Sequence, residues 1–329
     1  MSEANLPTVS VVIPTHNRRQ QLPQLLEAVL PEAAAEIIVV VNACEDGSLQ
    51  LLEERAEREP RLRPMFVAEP GQTLALQAGV EAATSEVVLM LDDDVLPEPG
   101  LVEGHARHHA NAEGLVVLGY MPVARPARRR RGEFAAALYL HDYEGACERY
   151  DRDPDSILTA LWAGNVSIRR SDCLRVGLRA GAGMPDGYGY HEDRDLGLRC
   201  RAAGLRGVFD RRLRARHTYE KTTEGFLRAA RSSGATRAAV HATHADAVGP
   251  LPEDFFARGA PLPGRLLVRL ARHRAAYRPV RAALRAIAAA AGALRVFRVE
   301  THAGFLLGLV EQQRGAQEAE TNPPRGDPA

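Results

Sequence analysis

The stretch EVVLMLDDD, Glu86 to Asp94, decides the fold of this chain, because five apolar residues end abruptly in three carboxylates. A short apolar run bounded in this way is typical of a buried strand in a parallel sheet. Ligands of open α/β sheets bind beyond the carboxyl ends of such strands. The three acids are therefore expected either to hold a hard cation, for which oxygen ligands suit Mg²⁺ or Mn²⁺, or to form a solvated acidic turn.

Strand-like and helix-like segments alternate along the chain before this stretch. The pattern predicts strands over 9–13, 36–41, 65–68 and 86–91, and helices over about 18–30, after the turn at 42–48 through Glu59, and after Pro70-Gly71 through Ala83. Repeated strand–helix units predict an α/β fold with a Rossmann-like, mostly parallel, doubly wound sheet. A later helix is expected over 193–203, with Gly204 as its stop signal.

The composition allows a substantial core and shows no electrostatic preference for one kind of partner. Of the 329 residues, 45% are hydrophobic, and acidic and basic side chains are equal in number, so the formal net charge is zero. A neutral chain is not expected to bind nucleic acid. Its four cysteines fit no zinc spacing, and the sequence predicts neither a signal peptide nor a membrane-spanning run. These features favour a cytoplasmic protein.

The composition changes after residue 250, where several prolines indicate a linker. We expect an α/β domain at 1–250, with a nucleotide-binding half at about 1–120 and an acceptor half at about 121–250. A basic helical region at 251–315 and a disordered tail at 316–329 are expected to follow. Arg265–Arg298 contains nine arginines and no acid. These helices are expected to pack on the domain, to form a homodimer, or to lie on the inner face of a membrane.

A second acidic cluster, HEDRD at 191–195, stands at the start of the helix predicted over 193–203. Backbone N–H groups at a helix start stabilise a carboxylate there. A carboxylate at such a loop–helix junction is also suited to remove the proton of a substrate hydroxyl. From the residues alone, a helix cap and a catalytic base are equally good interpretations.

Four motifs, in order, resemble glycosyltransferase family 2, whose members have the GT-A fold. VSVVIPTHNR at 9–18 resembles the family's first strand and nucleotide loop, and LDDD at 91–94 resembles its D-x-D motif. WAGNVSIRR at 162–170 resembles its central Gly-Asn segment, and HEDRDLG at 191–197 resembles its E-D-x-D-L-G block. Each motif alone is weak, but together they cover roughly residues 8–220.

The resemblance implies an inverting, metal-dependent transfer of a sugar from a nucleotide-diphosphate sugar to an acceptor hydroxyl. The acceptor would be a glycan, a lipid-linked molecule or a small molecule. The resemblance also implies that Asp94 and His217 bind Mg²⁺ or Mn²⁺, and that Asp193 is the general base with Glu192 beside it. The residues that it implies in nucleotide-sugar binding are Pro14, Thr15, Arg18, Asn42, Asp92, Asp93 and Asn165.

The chain departs from the family pattern where the second strand usually ends in an acid that contacts the nucleobase. Val41 stands there, followed by Asn42, and Leu76-Gln77 replaces a usual Arg-Asn pair. The UDP-sugar common in the family is therefore not implied here. Two alternatives stay open: a nucleotide-sugar-binding protein that has lost activity, and a sugar nucleotidyltransferase on a similar sheet.

Overall fold

The computed structural model describes residues 6–123, 132–179, 190–218 and 221–321, and within them the chain forms two compact units. Of these described residues, the first unit contains 6–123, 146–179 and 193–218. The second contains 132–145, 190–192 and 221–321. The segment 223–250, which the sequence pattern placed with the α/β domain, lies in the second unit.

A mixed sheet forms the centre of the first unit. Its strands are β1 (Val9–Thr15), β2 (Glu36–Asn42), β3 (Leu62–Val67), β4 (Val87–Leu91), β5 (Val95–Pro97), β6 (Leu115–Tyr120), β7 (Asn165–Arg169) and β8 (Arg206–His217). Their order is β3-β2-β1-β4-β7-β6-β8-β5. The helices up to this point are α1 (Leu22–Val29), α2 (Ser48–Ala56), α3 (Gln72–Ala82), α4 (Leu101–His109), α5 (Phe134–Arg152), α6 (Arg170–Val176) and α7 (Glu192–Ala202).

The first four strands of the chain pair in parallel, as the sequence pattern predicts. Every residue of β1, β2 and β4 is buried, which explains their continuous apolar runs. β7 runs antiparallel to both β4 and β6, so the second half of the sheet is mixed. The carboxyl end of β4 consequently lies beside the amino end of β7, where Leu91 pairs with Asn165.

Two local predictions near this edge were wrong. β1 does not stop at Pro14 but continues to Thr15. Its ladder with β4 ends at Val12, so Pro14 pairs only with β2 and the β4 side of the strand is unpaired there, which is the situation in which a strand tolerates proline. α1 begins at Leu22 rather than near residue 18, because the chain first forms a turn in which Asn17 has a φ of 51°. Arg18 is therefore a loop residue.

The second unit is helical. Its remaining helices are α8 (Thr223–Thr243), α9 (Ala245–Val248), α10 (Phe255–Arg258), α11 (Leu262–Leu270), α12 (Arg274–Ala293) and α13 (Phe297–Thr321). α8 and α13 approach each other closely, because a Cβ atom at Gly234 would overlap the carbonyl oxygen of Gln312. Gly315 likewise faces the carbonyl oxygen of Arg231. Glycine at both positions allows the two helix backbones to touch.

α13 corrects the predicted disorder of the tail. It continues through Thr321, so residues 316–321 are helical, while 322–329 lie outside the described residues. Packing stabilises this end, since Ala316 is 4% exposed within the core of the unit. Over the part of the chain that the structure describes, no helix combines the length and apolarity needed to cross a membrane.

Candidate active site

Asp94, the last of the three acids after β4, lies between an arginine and a histidine. Arg18 Nη1 is 2.8 Å from Asp94 Oδ2, and His217 Nε2 is 3.3 Å from Asp94 Oδ1. The antiparallel pairing of β5 with β8 places His217 opposite Val95. Burial raises the pKa of Asp94, but the hydrogen bonds and charges of His217 and Arg18 outweigh it and hold that pKa below 3.8. Asp94 is therefore ionised, as a metal ligand must be.

Asp92 packs against the backbone just before β7. Its N–H donates to the Gly164 carbonyl at 3.1 Å, and Gln72 Nε2 donates to Asp92 Oδ1 at 3.1 Å. Gly164 has a φ of 119°, and a Cβ atom there would lie 2.7 Å from Asp92 Oδ2. Both facts require glycine. Burial, together with the charges of Asp94 and Asp93, raises the pKa of Asp92 to about 7.

Asp93 is held by the last residue of β1 and by the loop that follows. Thr15 Oγ1 donates to Asp93 Oδ2 at 2.8 Å, and Arg18 Nε lies 3.5 Å from Asp93 Oδ1. Burial raises the pKa of Asp93 to about 6, although Arg18 and Thr15 oppose the shift. Arg18 thus bridges two carboxylates while its side chain stays 41% exposed.

Asn42, which the resemblance implies in nucleotide binding, is 1% exposed at the end of β2. Its amide group donates to the carbonyls of Val67 and Glu69 at 3.3 and 2.7 Å, and Oδ1 accepts the N–H of Gly71 at 2.8 Å. Val41 beside it is fully buried. The structure therefore places Asn42 as the residue that fixes the loop after β3, at the same edge of the sheet as the acids.

Asn165 is also buried, at the start of β7. Its Nδ2 donates to the Leu213 carbonyl at 3.1 Å, and its Oδ1 accepts from His105 Nε2 at 2.9 Å. Gly119 leaves the space for this amide, because a Cβ there would overlap it. Asn165 therefore ties β7 to β8 and to α4, directly after the glycine that contacts Asp92.

A chain of buried hydrogen bonds, which none of the sequence motifs indicated, extends from Asn165. Since Asn165 Oδ1 can only accept, His105 Nε2 carries the proton and His105 Nδ1 accepts from Ser167 Oγ at 2.8 Å. Ser167 Oγ in turn accepts from His109 Nε2 at 2.9 Å. Burial lowers the pKa of His105 to about 3 and that of His109 to about 4, so both are neutral. Their i, i+4 spacing was the available signal.

Asp193, the second residue of α7, is connected to the acids after β4 by one backbone segment, Ala163-Gly164. Its Oδ2 accepts the N–H of Ala163 at 3.3 Å, and its Oδ1 accepts the N–H of Arg194 at 2.8 Å. Gly164, the next residue, is the one that contacts Asp92. Burial raises the pKa of Asp193 to about 6 despite these hydrogen bonds, and its side chain remains partly exposed.

The other acids of this cluster are more deeply buried. Asp195 is fully buried and its carboxylate pairs with Arg199 Nε, one turn along α7, at 2.9 Å. Glu192, the first residue of α7, is 8% exposed. Asp193 is the acid of the three that solvent or a substrate reaches most easily.

The donor set fits a metal that binds together with a phosphate. Among the residues that the structure describes, no three His, Cys, Asp or Glu side chains are gathered tightly enough to enclose an ion alone. Asp94 and His217 supply a pair of ligands of the types that Mn²⁺ and Mg²⁺ accept. Such metals are often held by one or two protein groups, with substrate phosphates completing the shell.

Comparison with known sequences decides the family. The profile described as "Glycosyl transferase family 2" matches residues 10–175, half of the chain, and this range contains all three acids of the β4 end. The chain belongs to glycosyltransferase family 2. The family resemblance drawn from the four motifs is confirmed. The nucleotidyltransferase alternative is thereby set aside.

One curated relative of this family member is the undecaprenyl-phosphate 4-deoxy-4-formamido-L-arabinose transferase of Pseudomonas savastanoi pv. phaseolicola. It is 37% identical over 100 residues, which are 28% of this chain and 29% of the relative. The match thus spans less than a third of that relative's length.

Two solved structures share the fold. The first is a mannosyltransferase from Pyrobaculum calidifontis in complex with GDP-Man and Mn²⁺, with a TM-score of 0.55 and 20% identity, covering 92% of this chain and 86% of that one. The second is GalNAc-T7 with UDP, GalNAc and Mn²⁺, with a TM-score of 0.51 and 16% identity, covering 67% of this chain and 44% of that one. The predicted GT-A fold with a helical carboxyl-terminal region is confirmed.

Proposed function

We propose that this glycosyltransferase transfers a sugar from a nucleotide-diphosphate sugar to an acceptor hydroxyl, with inversion, and that Asp193 is the general base. The position of Asp193 carries the proposal. Its partly exposed carboxylate accepts the N–H of Ala163, and the next residue contacts Asp92. A base with a pKa of about 6 is ionised at neutral pH and still accepts a proton readily. Direct attack by the activated hydroxyl, opposite the leaving group, inverts the anomeric centre.

The donor diphosphate is placed at Asp94 and Arg18. Asp94 and His217 would hold Mg²⁺ or Mn²⁺, which when bound offsets the charge of the leaving diphosphate. The exposed guanidinium of Arg18 has donors suited to phosphate oxygens. The two solved neighbours are complexes, one with GDP-Man and Mn²⁺ and the other with UDP, GalNAc and Mn²⁺, which supports a nucleotide-sugar donor and a metal for this chain.

The remaining residues of the edge position these groups. Asp92 and Asp93 lie beside the donor site, and Thr15 orients Asp93. Pro14 lies in β1 directly before Thr15 and still pairs with β2, and Asn42 holds the loop after β3. Asn165 fixes the start of β7. We propose that these residues contribute to donor binding. Glu192, next to the base Asp193, is proposed to contribute to acceptor binding.

A hydroxyl acceptor suits Asp193 better than a phosphate acceptor. A phosphomonoester already carries about −1.5 to −2 charges at neutral pH, so it needs no base and would be repelled by a carboxylate. The name of the curated relative includes undecaprenyl phosphate, and that lipid is therefore the competing acceptor to test.

Asp193→Asn tests both parts of the proposal. It keeps the side-chain shape but cannot take the proton, so donor affinity should survive while turnover with a hydroxyl acceptor falls by about 10²–10⁴-fold. Donor affinity is measured by calorimetry and turnover by release of the nucleoside diphosphate. Asp172→Asn, at the ion pair of Asp172 with the exposed Arg175 on α6, is the matched control.

Three outcomes are decisive for this test. Parental turnover in Asp193→Asn would remove Asp193 from the mechanism. Loss of turnover in Glu192→Gln alone would instead make Glu192 the base. If polyprenyl phosphate is glycosylated equally well by the parent and by Asp193→Asn, the hydroxyl acceptor is wrong.

A further inference from the structure

The outward face of α12 is apolar over its carboxyl-terminal half. Every residue between Arg285 and Arg295 is Ala, Ile, Gly or Leu. Leu284, Ala288, Ala291 and Gly292 face the core of the unit. The opposite side exposes Ala286, Ile287, Ala289, Ala290, Ala293 and Leu294. A surface helix of a water-soluble protein ordinarily presents polar residues there, so this face is unusual.

The most exposed side chains of this face are large. Leu294 is 76% exposed and Ile287 is 47% exposed. The apolar surface continues past the end of α12, where Val296 and Val299 are 46% and 45% exposed. We refer to these four residues, with the exposed alanines of 286–293, as the α12 face.

Exposed arginines border the α12 face. Arg278, Arg295 and Arg298 are exposed, and none has an ion-pair partner among the described residues. Other arginines of the region are neutralised: Arg281 pairs with the buried Glu311, and Arg285 pairs with Glu224. No acid occurs between residues 265 and 298. The face therefore combines exposed apolar side chains with uncompensated cations.

We propose that the α12 face binds the surface of an anionic phospholipid bilayer, with α12 lying in the interface. An amphipathic helix with an apolar face and arginine margins has the composition that such surfaces bind. The apolar side chains insert at the boundary between the headgroups and the acyl chains, and the three arginines bind lipid phosphates. This inference is independent of the transfer reaction proposed for the first unit.

Charge argues against a second copy of the chain as the occupant. In a twofold dimer the same patch meets itself, so the arginine margins of the two copies would face each other. The α12 face offers no acid to compensate them, and like charges across an interface are unfavourable. An anionic lipid surface supplies the missing negative charge.

α11 also exposes large leucines, but it differs from α12 in its charges. Its Leu262 and Leu266 are 78% and 71% exposed. Arg269, the exposed arginine of α11, lies 3.3 Å from Asp254, and Arg272, just after the helix, lies 3.1 Å from Glu253. Arg265, which is half-buried, donates to the carbonyls of Ala260 and Arg258. α11 therefore lacks an exposed arginine without an acidic partner.

The test is sedimentation of the full chain with vesicles of phosphatidylcholine, with and without phosphatidylglycerol. The chain should bind the anionic vesicles and not the neutral ones. Raising the ionic strength from about 0.1 to about 1 M should release it, because the Debye length falls from about 10 to about 3 Å. Arg295→Gln should weaken binding about fivefold, and Leu294→Glu by about tenfold or more.

Phe66→Glu is the matched control, because Phe66 is 50% exposed on β3, in the first unit. Circular dichroism checks that each variant is folded. Equal binding to neutral and anionic vesicles, absence of binding at low salt, or equal loss in Phe66→Glu and Leu294→Glu would each overturn the proposal. So would a dimer, detected by light scattering, that Leu294→Glu dissociates.

Discussion

The buried pair His105 and His109 makes the fold sensitive to acid. Both side chains are fully buried, and burial lowers their pKa values from 6.5 to about 3 and about 4. As the pH falls below 6.5, the unfolded chain binds a proton at each histidine before the folded chain does. The stability that the neutral pair contributes is therefore complete above pH 6.5 and is lost as the pH falls toward 4.

The loss is large enough to measure. A pH of about 5 lies roughly 1.5 units below the unfolded pKa, so each histidine costs about 2 kcal/mol there and the pair about 4 kcal/mol. Domains are typically stable by only about 5–15 kcal/mol. Urea denaturation at about pH 7.5 and pH 5 gives the free energy of unfolding of the parent and of His109→Gln. Between the two pH values, the free energy of unfolding of the variant should fall by about 2 kcal/mol less than that of the parent.

Comparing the pH-dependent loss of stability in the two proteins removes the contribution of carboxylates that titrate in the same pH range. Asp92, for example, has its pKa raised to about 7 by burial and by the charges of Asp94 and Asp93. Asp92 is unchanged in both proteins. His302→Gln, at an exposed position of α13, is the matched control and should keep the parental difference. If His109→Gln loses as much stability as the parent, His109 is not a neutral buried group and the argument fails.

Further expectations concern packing, the base and the metal. Gly234→Ala should destabilise the chain by at least about 2 kcal/mol, because the new Cβ atom would overlap the backbone of α13. Gly145→Ala, in a helix with open space around it, should stabilise the chain by about 0.5–1 kcal/mol. Equal shifts in melting temperature for the two variants would contradict the close contact of α8 with α13. The kcat/KM should fall about tenfold per pH unit below pH 6 as Asp193 is protonated, and that limb should vanish in Asp193→Asn. Asp94→Ala should abolish Mn²⁺-dependent donor binding without unfolding the chain, and an unchanged Mn²⁺ requirement would exclude Asp94 as a ligand.

The parallel half of the sheet could be predicted because its strands are locally marked. β4 ends at Leu91, where the apolar run meets the first acid, and β2 ends within one residue of its predicted limit. β8 carries a weaker signal. The second half of its sequence, RLRARH at 212–217, alternates exposed arginines with buried Leu213, Ala215 and His217, but its first half shows no alternation. Pairing with β6 and β5, both distant in sequence, stabilises this strand.

The acids of the candidate site could be predicted, but the groups that tune them could not. Asp92 and Asp193 stand in recognisable local motifs, whereas Gln72 comes from a separate helix. Asn42 and Asn165 show a second limit. A polar side chain in a motif is compatible with ligand binding and with holding the backbone, and only the tertiary contacts show that both amides bind backbone groups.

Asn165 also has a consequence for the order of folding. Its bonds join residues 60 and 48 positions apart, to His105 and to Leu213, and the adjacent Gly164 closes on Asp92 only when β7 lies beside β4. Contacts between distant residues close slowly, because much chain entropy is lost before they form. Local helices such as α4 therefore form early on refolding, and the acids are brought together late. Recovery of activity should lag behind recovery of helical circular dichroism, and the lag should lengthen in Asn165→Ala.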